Sequence, residues 1–146
     1  MTKEDKELLL KDLCARLPYG LKAYIKNWSK FERRWIEGVY TVESVHPSLN
    51  NICGSTENYS VEVILGYDDY DIKPYLFPLS SMTEEQKKEY HSIIYRSIEL
   101  HYNEYCDVID IDFFDVLQEF YLKNHFDYRG LIEKGLAIDA TNKNIY

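Results

Sequence analysis

Residues 71–94, DIKPYLFPLSSMTEEQKKEYHSII, contain the point at which the chain changes its period. Before Ser80 apolar residues alternate with polar ones, as in strands with one buried face. After it they recur every three or four residues, as on one face of a helix. SMTE and TEEQ are overlapping capping boxes that begin at Ser81 and Thr83. Glu84 and Glu85 then suit the positive end of the helix dipole. Tyr90, Ile93, Ile94, Ile98, His101, Tyr102 and Tyr105 keep helical spacing, so a helix is expected over about 83–103. Residues 72–77 read as a strand that Pro74 relegates to a sheet edge. A run of strands followed by a run of helices describes an α+β domain.

Upstream, Thr2 caps a helix over 3–17 whose Leu9, Leu10, Leu13 and Leu17 form one apolar stripe. Pro18 and Gly20 break it, and so short a helix needs a sheet to pack on. Leu21, Ala23 and Ile25 alternate with Lys22, Tyr24 and Lys26. Residues 34–45 are rich in Val, Tyr, Thr, Trp and Ile and read as a strand bent at Gly38. PSLNNICGSTEN (47–58) reads as a loop, Tyr59 to Leu65 alternates again, and GYDDYD (66–71) is an acidic turn. Short connections make these strands antiparallel neighbours, giving a small antiparallel β-sheet over about 20–78.

Downstream, CDVIDID (106–112) leads into a helix over about 112–123, with Phe113, Leu117, Phe120 and Tyr121 on one face. HFDYRGLIEKGLA (125–137) then reads as a capped turn. Asp127 is the cap, residues 128–134 supply a short third helix, and Gly135 takes the left-handed position after it. Leu136 and Leu131 make the hydrophobic contact of a Schellman motif. Arg129 is expected in a surface ion pair with Glu133. Neither half is large enough to bury a good core alone, so residues 1–146 are expected to form a single α+β domain: N-terminal helix, sheet, then two or three C-terminal helices.

A chain of 146 residues with 45% apolar and 29% charged residues is globular in composition. Its net charge of −8 argues against general nucleic-acid binding, which needs clustered Lys and Arg. Cys14, Cys53 and Cys106 are widely spaced, which suits free thiols in a reducing compartment and excludes a Cys-rich zinc site. MTKEDKELLLKDL is neither a signal peptide nor a membrane span, so a cytoplasmic protein without a membrane role is expected.

No catalytic, metal or cofactor set emerges. GLIEKG (130–135) spaces two glycines like a phosphate loop, but Leu136 and Ala137 stand where Lys and a hydroxyl are required. His91 and His101 are ten residues apart, roughly 80° out of register on a helix. Asp107, Asp110, Asp112 and Asp115 form one acidic cluster and Asp68, Asp69 and Asp71 another, without the Gly and closing Glu of a calcium loop. NWSKFERRW (27–35) is the one basic patch interleaved with aromatics. Its Trp28, Phe31, Arg34 and Trp35, together with Tyr128 and Arg129, are the candidate residues for binding a protein partner. The fourteen tyrosines suit half-buried positions or an interface.

LLLKDLCARLPYG (8–20), IKPYLFPLSSMTEEQKKEY (72–90) and NHFDYRGLIEKGLAIDAT (124–141) resemble a family of small uncharacterised proteins of anaerobic gut bacteria and their prophages. The resemblance covers about a third of the chain. It implies a phage-related or mobile-element accessory protein and brings no catalytic or ligand residues. These segments would frame a scaffold, with the divergent sheet carrying specificity. The leading expectation is a non-enzymatic interaction module. Two alternatives stand beside it. One is an acidic inhibitor that mimics nucleic acid; the other is an enzyme or small-ligand binder using His101, Cys106 and nearby Asp residues.

Overall fold

The computed structural model describes residues 1–29, 32–66, 70–102 and 109–146, with the side chains of 97–102 and 109–112 outside the description. The chain is α+β. Helix α1 (Lys3–Arg16) is followed by strands β1 (Lys22–Ser29), β2 (Arg34–His46), β3 (Asn51–Ser55), β4 (Ser60–Ile64) and β5 (Asp71–Leu76). Helices α2 (Glu84–Tyr102) and α3 (Ile109–Lys123) come next, and β6 (Ile138–Asp139) ends the list. The strands form one sheet in the order β4-β3-β2-β1-β5-β6. No helix among the described residues is long and apolar enough to cross a membrane.

Helix α1 starts where the Thr2 hydroxyl accepts the Asp5 N–H at 3.1 Å. It ends as residues 17–19 tighten into a 3-10 turn closed by Gly20 at φ +68°. Leu9, Leu10 and Leu13 are buried against Leu21, Ala23 and Ile25 of the sheet. The alternation seen in the sequence therefore sorts the sheet into two faces. The inner face also carries Tyr40, Val42, Ile52, Val61, Val63 and Ile72. Leu131, Leu136 and Ala137 from the C-terminal segment complete this core.

The expected purely antiparallel sheet is corrected at its end. β1 to β5 pair antiparallel, but β6 runs parallel to β5, with Ile138 opposite Tyr75 and Asp139 opposite Leu76. At Pro74 β5 is paired with β1 alone, as on an edge, and it becomes an inner strand only at Tyr75 and Leu76. β6 is two residues long and pairs only beyond Pro74, so the missing N–H removes no bond there. The stretch 47–58 is also not all loop, because Asn51–Ser55 is β3. Its apolar alternation is hidden because Gly54 takes an inner position: a Cβ there would lie 2.8 Å from Ile25 Cδ1. The irregularity in β2 is a register shift between Val42 and Ser44, not a bend at Gly38, which pairs normally with Ile25.

The Thr83 capping box forms in full: Thr83 N–H donates to Gln86 Oε1 at 2.9 Å and Gln86 N–H donates to Thr83 Oγ1 at 3.2 Å. Helix α3 begins at Ile109, three residues before the expected 112. Rings at Tyr90, Phe120, Tyr121, Phe126 and Tyr128 connect α2, α3 and the C-terminal segment. The expected third helix over 128–134 is a series of turns instead. Gly130 breaks it with φ +70°. The Schellman bonds nevertheless form, with Leu136 N–H donating to Leu131 C=O at 2.9 Å and Gly135 N–H to Ile132 C=O at 3.0 Å.

Candidate functional site

The sequence-derived site residues separate into two places on opposite faces of the sheet. Trp28 on β1 pairs directly with Trp35 on β2, one row before the Ser29–Arg34 pair that ends the hairpin ladder. Both point away from the core and each is 38% exposed. Their rings meet edge to face at 5.5 Å, and Trp35 meets Tyr70 at 5.7 Å. Lys26 places its ammonium 5.1 Å from the Trp35 ring. Arg34 is exposed, its Nε donates to Glu32 at 2.5 Å, and the alternation of β2 directs it to the face opposite Trp35. Phe31 lies outside the described residues.

The patch continues along the outer face. Tyr24 and Lys26 of β1 stand opposite Val39 and Glu37 of β2, and opposite Lys73 and Asp71 of β5. None of these side chains is buried. The Tyr24 hydroxyl donates to Glu37 at 2.5 Å, and that bond pushes the phenol up to about 12. Farther along, Lys22, Val39, Thr41, Ser55, Thr56 and Glu57 line a cavity of about 450 Å³. Two of these lining residues are tied together, Lys22 Nζ donating to Thr41 Oγ1 at 2.7 Å.

Tyr128 and Arg129 sit elsewhere, on the core side, with residues that sequence reading did not single out. Asp12 and Arg16 on α1 have no exposed surface. Arg16 grips Asp12 through Nε at 2.7 Å and Nη2 at 3.2 Å, and Nη2 also donates to the Phe126 carbonyl at 2.8 Å. Arg129 Nη1 donates at 3.1 Å to Asp12 Oδ1, the oxygen that also accepts from Arg16 Nη2, so its partner is Asp12 and not Glu133. Both guanidiniums lie over the Tyr128 ring, at 5.8 and 4.7 Å. His125, at φ +55°, stacks on Tyr146 at 4.0 Å. Burial first, and the Arg16 charge second, lower its imidazole to about 4. The only sequence sign of this cluster was the i, i+4 spacing of Asp12 and Arg16 within an apolar stripe.

The acidic clusters are only partly within reach. Asp68, Asp69 and Asp107 lie outside the described residues, as do the side chains of Asp110 and Asp112 and the His101–Cys106 pair. Among the described residues no group of three His, Cys, Asp or Glu side chains is placed to hold a metal. Residues 8–20, 72–90 and 124–141 meet around the buried cluster: 8–20 supplies Asp12 and Arg16, 124–141 supplies His125 to Arg129, and Phe77 of 72–90 bridges to Phe126. No protein-family model matches the chain, no curated protein matches it, and no solved structure matches it.

Proposed function

We propose that the chain is a non-enzymatic interaction module that engages a protein partner through the outer face of its sheet, with Trp28 and Trp35 as anchors. The observation that carries this reading is the exposure of two contacting tryptophans at one end of the outer strand face. Exposed paired tryptophans cost solubility, whereas aromatic anchors with cations at their rim are the residues that dominate protein interfaces. Lys26 supplies such a cation, 5.1 Å from the Trp35 ring. The resemblance to proteins of gut anaerobes and their prophages supports reading the module as a phage-related or mobile-element accessory protein that acts in the cytoplasm.

The test is affinity capture from lysate of such an anaerobe, with the wild type and a Trp28→Ser/Trp35→Ser variant whose fold is checked by circular dichroism. A partner retained by the wild type and lost by at least tenfold in the variant supports the reading. Equal capture by both proteins, or turnover of a small substrate by the isolated chain, refutes it.

A further inference from the structure

We infer that the open edge of the sheet, strand β4, pairs antiparallel with β4 of a second copy of this chain and joins two sheets into one. The fold treats its two edges unequally. At one end Pro74 offers no N–H, β6 covers Tyr75 and Leu76, and the Tyr146 hydroxyl donates to the Tyr75 carbonyl. At the other end β4 pairs with β3 alone. Ser60–Ile64 has no Lys or Pro and pairs with β3 without a bulge, three devices by which edges are commonly blunted.

The flanking bonds fix which backbone groups face outward. Leu65 N–H donates to the Asn50 carbonyl at 2.8 Å, and Thr56 N–H donates to the Tyr59 carbonyl at 2.7 Å. Bonded and unbonded pairs alternate along an antiparallel ladder, so Tyr59, Val61, Val63 and Leu65 turn their backbone groups toward β3. Ser60, Glu62 and Ile64 turn theirs to the open edge. Among the described residues these outward groups have no hydrogen-bond partner.

A second copy fits this edge best in one register. With Val61 opposite its own counterpart, Ser60 stands opposite Glu62 and Tyr59 opposite Val63. Each Ser60–Glu62 pair then exchanges two backbone hydrogen bonds. On the outer face a hydroxyl meets a carboxylate, which spends one oxygen on Asn51 Nδ2 and has no cationic partner among the described residues. On the inner face the Tyr59 ring, 60% exposed, covers a valine, an aromatic and β-branched pair of the favourable kind. The register centred on Glu62 opposes two carboxylates, and the one centred on Val63 sets Glu62 against the apolar Ile64. The contact is isologous, so one pairing closes it. It does not rest on the outer face having a partner.

So short an interface belongs to the small class, and a dissociation constant of roughly 10–100 μM is expected. Sedimentation velocity across that range should show the wild type passing reversibly from the mass of one chain to twice that mass. Glu62→Pro removes only an outward N–H. It should keep the melting temperature within roughly 3 °C and weaken association at least about tenfold. Two variants at exposed Ser60 read the register even if that proline is not accommodated. Ser60→Lys should tighten the dimer roughly threefold, less at high salt, and Ser60→Glu should weaken it by roughly as much. Trp28→Ser/Trp35→Ser should dimerise like the wild type. A monomer throughout the range, a dimer indifferent to the Ser60 variants or to a folded Glu62→Pro, a reversed order of Ser60→Lys and Ser60→Glu, or dissociation by the tryptophan variant would each overturn the inference.

Discussion

At the scale of single residues, the Asp12 carboxylate holds more of the structure than any other polar group described. It binds Arg16 of its own helix and Arg129, 117 residues away. Asp12→Ala leaves two guanidiniums buried without a counter-charge and should cost roughly 3–5 kcal/mol in urea unfolding. Arg129→Met leaves the Asp12–Arg16 pair intact and should cost roughly 1–3 kcal/mol. Equal losses would mean that the carboxylate does not couple the two arginines. His125 gives the cluster a pH signature. Its folded value of about 4 lies below the ordinary 6.5. Between those values the unfolded chain binds more protons, so stability rises with pH there. The contribution is complete above 6.5, is lost as pH falls toward 4, and amounts to at most roughly 3 kcal/mol. Unfolding at pH 7 and pH 4.5 should show a loss that His125→Asn, a residue that tolerates positive φ, reduces.

At the scale of elements, legibility tracked whether the signal was local. The leucine stripe of α1, the β1 alternation and the Thr83 capping box are written in adjacent residues, and they form as read. β3 was hidden because an inner strand position is filled by a neighbour's side chain in place of its own. Gly54→Ala tests this directly. The added Cβ meets Ile25 Cδ1 at 2.8 Å and the Thr41 carbonyl at 3.2 Å, so it should destabilise by roughly 1–3 kcal/mol. Gly38→Ala meets only a Tyr40 ring carbon at 3.6 Å and should be tolerated within about 0.5 kcal/mol. A reversed order would show that Gly54 serves backbone freedom and not close packing. β6 was illegible for another reason: two residues pair in parallel with a strand more than sixty positions earlier, and no short-range pattern encodes that. The exposed tryptophan pair was legible as an aromatic run. The Asp12–Arg129 contact was not, because it joins the two ends of the chain.

At the scale of the whole molecule, the fold divides by the way its parts are tied. β1 lies at the centre of the antiparallel ladder, between β2 and β5, and Leu21, Ala23 and Ile25 have no exposed surface. The Arg16–Asp12–Arg129 cluster fastens α1 and the C-terminal segment over that core, and the Tyr146 hydroxyl donates to the Tyr75 carbonyl at 2.8 Å. The described part of α2 is tied more lightly. It meets α3 and its C-terminal end through Tyr90 against Phe120 and Tyr121, and through Gln86 donating to Asn124 at 3.0 Å. Tyr95 on its other side is exposed. Regions with few buried apolar contacts open at lower free energy than the core. Native-state hydrogen exchange should therefore find amides of Glu89 to Arg96 exchanging through a partial opening. Those of Ala23 to Ile25 should exchange only through global unfolding. The gap should be at least roughly 2 kcal/mol, and Tyr90→Ala should widen it while leaving the β1 amides tied to the global value. Uniform protection across α2 and β1 would instead make the helices and the sheet one cooperative unit.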